Sequence, residues 1–141
     1  MRAPYTQLYV HYVWATWDRL PLITDRIERQ IYASIFAKSR SLKCEPIAIG
    51  GLLDHVHLLV RLHTTISVAE LVKGVKGSSS HLVTHELRPG MFFKWQGAYG
   101  AFTVSKESLD RVINYINNQK KHHAEDDLWS EFELTMVNHY G

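Results

Sequence analysis

Residues 45–62, Glu45-Pro46-Ile47-Ala48-Ile49-Gly50-Gly51-Leu52-Leu53-Asp54-His55-Val56-His57-Leu58-Leu59-Val60-Arg61-Leu62, decide the fold. They read as two strands, 45–52 and 55–62, joined tightly around Asp54. On the N-terminal side, residues 5–16 (YTQLYVHYVWAT) are rich in aromatic and β-branched residues and predict a strand. A helix follows, with Thr24 or Asp25 as its expected N-cap and Ile27, Ile31 and Ile35 stacked at i, i+4, i+8. On the C-terminal side, Ser67-Val68-Ala69-Glu70 has the form of a capping box, in which Ser and Glu satisfy each other's free amides. The helix it opens carries Leu71, Val72, Val75, Leu82 and Val83, and Pro89-Gly90 ends that segment. Residues 98–104 predict a fourth strand. Ser105 is the expected cap of a last helix over 105–123, with Glu107 in the first turn, where the helix dipole favours an anion.

The order β-α-β-β-α-β plus a helix predicts an α+β, ferredoxin-like split βαβ sandwich whose additional C-terminal helix carries a tyrosine. Neither repeat nor linker divides the chain, so residues 1–141 are expected to form one domain, with residues 125–141 as an acidic C-terminal segment. Such folds host unrelated functions, so function has to come from a site.

Composition narrows the field. With 45% hydrophobic and 21% charged residues, the chain has the make-up of a globular protein with a real core, not of a disordered or collagen-like one. A single cysteine, Cys44, excludes an intrachain disulfide and a Cys-based zinc ribbon, and makes a reducing cytoplasm the expected compartment. The first 17 residues alternate polar and apolar, unlike a signal peptide. No apolar run approaches the roughly 18 to 20 residues that span a bilayer. The net charge of +2 hides an asymmetry: residues 1–124 hold all 16 Lys and Arg against nine acids, and residues 125–141 hold five acids and no Lys or Arg. A basic body with an acidic end fits a nucleic-acid binder or a solvated acidic tail. On the first reading, the acidic residues Asp126, Asp127, Glu131 and Glu133 pack away from DNA, and binding weakens steeply with salt.

Strand alternation projects His55 and His57 to one side while Val56, Leu58 and Val60 enter the other. Two imidazoles on a rigid strand make a bidentate corner for a divalent metal, or else a polar patch on a solvent-facing sheet. The pair interrupts an apolar strand, which favours the first. Residue 59 is Leu, which excludes a histidine-triad hydrolase, and Leu82 after His81 excludes a zincin for the His81/His85 pair, which reads as a solvated helix face. In the last helix, Leu109, Val112, Ile113 and Ile116 form the sheet-packing stripe. Tyr115 lies roughly 120° from the centre of that stripe, and Gln119 stands one turn on. Gln119 can complete a metal site or orient a phosphate; Tyr115 is a nucleophile or a boundary tyrosine with a wet hydroxyl. A phenol titrating near pH 10 is a poor nucleophile and needs an activated electrophile, which a metal polarising a phosphoryl oxygen provides. Tyrosine attack on a phosphodiester yields a phosphotyrosine and a deoxyribose hydroxyl, and the new ester keeps the energy needed for rejoining.

The ordered set Asp54-His55-Val56-His57-Leu58-Leu59-Val60, Trp95-Gln96-Gly97-Ala98-Tyr99-Gly100-Ala101-Phe102-Thr103-Val104-Ser105 and Tyr115-Ile116-Asn117-Asn118-Gln119 resembles the small single-tyrosine HUH transposases of bacterial and archaeal insertion sequences. The resemblance spans essentially the whole chain. It implies that His55 and His57 bind metal, that Gln119 is the third protein ligand, that Tyr115 is the nucleophile, and that the metal is Mg²⁺ or Mn²⁺. It also implies a homodimer whose active site takes the histidines from one subunit and the tyrosine helix from the other, acting on single-stranded DNA hairpins at element ends through 5′-phosphotyrosine links. Ala98 stands where the family pattern has Gly, which bears on how the strand begins. A domesticated endonuclease acting on chromosomal repeats and a non-catalytic hairpin-binding protein are the alternatives on the same fold. Lys73, Lys76, Ser79 (within Ser78-Ser79-Ser80), Lys94 and Lys120 are candidate DNA contacts, as are Arg2 and Lys121; each is equally a surface residue. Trp95 and Tyr99 can stack on bases or pack in a core or dimer interface.

Overall fold

A computed structural model describes residues 4–120. Four strands, β1 (Tyr9–Ala15), β2 (Glu45–Leu52), β3 (His55–Arg61) and β4 (Gly100–Val104), form one sheet in the order β2-β3-β1-β4. Every neighbouring pair is antiparallel. With helices α1 (Glu28–Ser41) and α2 (Val68–Leu82) as the two crossovers, this is the ferredoxin-like sandwich the sequence predicts. The additional helix α3 (Leu109–Asn117) is also present.

Strand alternation separates the sheet's two faces. Val10, Tyr12 and Trp14 of β1 and Val56, Leu58 and Val60 of β3 join Ile31 and Ile35 of α1 and Leu71, Val72 and Val75 of α2 in the main core. On the opposite face α3 lays Val112 and Ile116 over Ala48, Leu59 and Val104. The molecule thus has three layers, with β3 buried on both sides.

Local chemistry explains where the elements begin. Ser67 and Glu70 form the expected capping box at the start of α2, with Glu70 N donating to Ser67 Oγ at 3.0 Å and Ser67 N donating to Glu70 Oε1 at 3.1 Å. The expected cap of α1 does not form. A turn in which the Thr24 carbonyl accepts from Ile27 N and Glu28 N comes first, and the helix starts at Glu28 with no side-chain cap. Ser105 likewise caps nothing: its hydroxyl donates to Ser108 Oγ, a 3₁₀ turn over Lys106–Ser108 intervenes, and α3 begins at Leu109. Of the strand expected over 5–16, the ladder runs from Tyr9 to Ala15 with an isolated bridge from Thr16 to Trp95, and β4 starts at Gly100, two residues after Ala98. A π-turn over Val83–Leu87 ends α2, before Gly90 at φ 84° closes the segment. Residues 121–141, with the acidic segment, Lys121, His122 and His123, lie outside the described residues, as does Arg2. Among the described residues no helix is long and apolar enough to cross a membrane.

Candidate active site

His55 and His57 project from β3 toward α3, and both are fully buried. Across the sheet, His57 pairs with Val13 of β1 and Gly50 of β2. Gly50 is what lets α3 sit this low, since a Cβ there would come within 2.1 Å of the Ile116 carbonyl oxygen. The approach brings Tyr115 edge-on to His57, with ring centroids 5.7 Å apart and planes at 85°. Tyr115 is 1% exposed, so its position off the apolar stripe places it over the histidines and not at a wet boundary.

Helix α3 stops at Asn117, with Asn118 out of helical geometry, and Gln119 lies just past the break. Its amide Nε2 donates to the Tyr115 carbonyl at 3.2 Å, which turns Oε1 toward His55 Nε2, also at 3.2 Å. The structure therefore brings all four residues singled out in the sequence, His55, His57, Tyr115 and Gln119, into one buried cluster. All four belong to one chain, and the tyrosine helix covers the histidines of its own chain.

Three further residues complete the cluster. The Asp54 carboxylate accepts from His55 Nδ1 at 2.8 Å and pairs with the Arg19 guanidinium at 3.1 Å. Burial alone would raise the Asp54 carboxyl, but the hydrogen bond and charge of His55 and the charge of Arg19 together hold it below its ordinary value. His11 of β1, also fully buried, places its Nε2 2.9 Å from His57 Nδ1. The signal for His11 was in the sequence: it is the one histidine of β1, on the parity that β1–β3 pairing assigns to the His55/His57 face. Both imidazoles of the pair are thus engaged at Nδ1, which suits ligation through Nε2. Two imidazole nitrogens and a carboxamide oxygen fit a divalent cation that keeps further positions for water or phosphate oxygens. Among the described residues no group of three or more His, Cys, Asp or Glu is placed to hold a metal.

Of the DNA-contact candidates, Lys120 lines a pocket with Gln119 and Gly50 at the edge of this site, and those on α2 lie away from it. Lys73, Lys76 and Ser79 are on α2, behind the sheet. Ser79 is fully buried, donating to the Val75 carbonyl and accepting from Trp95 Nε1 at 2.9 Å, so its role is to satisfy a core indole and not to meet DNA. Lys76 is half-buried and its ammonium donates to the Gln96 carbonyl; burial pulls its pKa down to about 8. Lys73 is exposed beside a groove of about 670 Å³ between α1 and α2. Lys94 lies 4.0 Å from the centre of the Trp17 ring, and Lys120 pairs with Glu28 at 2.9 Å. Trp95 is a core residue and Tyr99 packs against that core. His81 and His85 stack at 4.0 Å on an exposed helix face, as their spacing predicts.

Two solved structures share the fold. A chain from Deinococcus radiodurans R1 described as a candidate transposase is 24% identical over 84% of this chain and 95% of its own, with a TM-score of 0.63. A REP-associated tyrosine transposase bound to a REP hairpin is 13% identical over 91% of this chain and 74% of its own, with a TM-score of 0.65. No curated protein matches the sequence. Residues 4–119 match the family described as "Transposase IS200 like", and the chain belongs to that family.

Proposed function

We propose that this transposase is a metal-dependent enzyme acting on single-stranded DNA hairpins at the ends of an insertion sequence, cutting and rejoining strands through a 5′-phosphotyrosine intermediate. One observation carries the reading: His55, His57, Gln119 and Tyr115, remote in sequence, meet in a single buried cluster whose histidines are oriented from behind. A purely structural sheet face has no need of four buried polar side chains, each of which costs free energy unless paired.

His55, His57 and Gln119 would hold Mg²⁺ or Mn²⁺, which supplies charge stabilisation to a phosphoryl oxygen. The Tyr115 phenol oxygen forms a bond to phosphorus, the bond to the 3′ oxygen breaks, and the phenol proton is lost as the departing oxygen gains one. The 5′ phosphate then remains on Tyr115, and attack by a 3′ hydroxyl reverses the step with no nucleotide cofactor. Because Tyr115 and both histidines are buried, a phosphodiester reaches them only when α3 parts from the sheet.

The test is a single-stranded hairpin oligonucleotide from the element's own ends, incubated with protein and Mg²⁺ or Mn²⁺ and resolved under denaturing conditions. Wild type gives a covalent adduct and Tyr115→Phe gives none; no adduct from wild type, or equal adduct from the variant, overturns the reading. A homodimer with shared sites is part of the proposal, and the single-chain packing of Tyr115 on His57 defines its alternative. Mixing His57→Ala with Tyr115→Phe protomers restores adduct formation only if sites are shared.

A further inference from the structure

The metal reading rests on His55, His57 and Gln119. On that reading, we propose that His11 is a positioning residue that fixes His57 for metal ligation. His11 reaches the site from β1, where register sets it opposite Leu59 and diagonal to His57. Its Nε2 lies 2.9 Å from His57 Nδ1, with both rings fully buried. Phe102 of β4 packs 6.0 Å from the His11 ring on the same sheet face, which confines that ring.

A hydrogen bond between two neutral imidazoles needs one donor and one acceptor. Ligation through His57 Nε2 requires a lone pair there, which puts the His57 proton on Nδ1 and makes His11 Nε2 the acceptor. His11 then carries its own proton on Nδ1. The opposite polarity would protonate His57 at Nε2 and disable it as a ligand. His11 therefore does for His57 what Asp54 does for His55, whose Nδ1 is held at 2.8 Å by the carboxylate. The difference in chemistry is instructive, because an imidazole acceptor orients the second ligand without adding a second negative charge to the site.

Two measurements on the full chain test this. In the metal-free protein, ¹⁵N spectra of the histidine rings should place the His57 proton on Nδ1 in wild type. They should show a mixture of tautomers in His11→Phe and a return to Nδ1 in His11→Gln, whose side-chain oxygen can accept. Mn²⁺ titration should show weaker binding in His11→Phe by about 10- to 100-fold, recovered for the most part by His11→Gln. A filler role for His11 predicts the reverse, with Phe tolerated better than Gln. A His57 proton on Nε2 in wild type, or unchanged Mn²⁺ binding in His11→Phe, overturns the proposal. Absence of Mn²⁺ binding in wild type overturns instead the metal reading on which it rests, and is thereby distinguishable.

Discussion

The two faces of the sheet use the same strands for opposite ends. On the face covered by α1 and α2, β1 and β3 present Val10, Tyr12, Trp14, Val56, Leu58 and Val60 to an apolar core. On the face covered by α3 they present His11, His55 and His57, one residue out of phase, beneath Tyr115 and Gln119. Both faces are equally dry. The first is held by burial, at roughly 1.5–3 kcal/mol for each large apolar side chain. The second keeps its polar atoms by pairing them with one another: Asp54 with His55, His11 with His57, and Gln119 with the Tyr115 carbonyl. Stability and chemistry are thus separated by the two-residue period of a strand.

Adjacent residues on β3 should therefore fail in different ways. His57→Asn removes a metal ligand on the proposed reading and should lower adduct formation by about 10³-fold or more, since several kcal/mol of transition-state stabilisation is at stake. Its unfolding free energy should fall by less than that of its neighbour's truncation, because the carboxamide half-fills the site. Leu58→Ala should cost about 2–5 kcal/mol in denaturant unfolding, while adduct formed per folded molecule stays near wild type. The comparison breaks if Leu58→Ala loses activity as steeply as His57→Asn at a temperature where both are folded.

The division into faces was legible in the sequence to the extent that it depends on period. The β-hairpin at Asp54, the capping box at Ser67 and the apolar stripe of α3 are local signals, and each forms where the pattern places it. What was not legible depends on pairing between distant strands. Asp54 reads as a hairpin joint, and only the folded chain shows its carboxylate on His55 and Arg19. Ser79 and Lys76 read as candidate DNA contacts, and equally as surface residues; which side of α2 meets Trp95 and Gln96 is a tertiary fact. Tyr115 stands off the stripe on a helical wheel, yet α3 lies low enough over Gly50 to bury it.

Gly50 and Gly77 extend the comparison to the two helix layers. Nothing lies within 4 Å of a Cβ added to Gly77 on the exposed side of α2, whereas one added to Gly50 meets the α3 backbone at 2.1 Å. Gly77→Ala should stabilise by up to about 1 kcal/mol through helix propensity, with adduct formation unchanged. Gly50→Ala forces α3 up or β2 aside, at a cost of about 1–3 kcal/mol, and should lower adduct formation because the tyrosine helix no longer seats over His57. Equal behaviour of the two variants would mean that close docking of α3 is unimportant to the site.

The smallest expected effect lies at the rim between the faces, where Arg19 meets Asp54. Arg19 is held at φ 53°, and Asp18 before it at φ 52°, in a turn braced by Thr16 Oγ1 donating to the Leu20 carbonyl at 2.6 Å. A non-glycine residue in this left-handed region costs about 1–2 kcal/mol, so the turn carries strain while it delivers the guanidinium to the carboxylate. The ion pair is partly solvated, and its net worth is no more than about 1 kcal/mol. Because the folded Asp54 carboxyl is depressed below its ordinary 3.8, its contribution is present above that value and is lost as pH falls through the lower folded one. Arg19→Ala keeps the strain and removes the pair, so it should be less stable than wild type near neutrality and converge with it in acid. Arg19→Gly removes the pair and relieves the strain, so it should be more stable than Arg19→Ala by about 1 kcal/mol at every pH. Urea unfolding of the three proteins between about pH 3 and 7 separates the two terms, since only the ion pair varies with the protonation of Asp54. If the gap between wild type and Arg19→Ala were as wide at the acid end as at neutrality, Arg19 would act through packing, and the charge would have no part in holding the Asp54–His55 edge of the site.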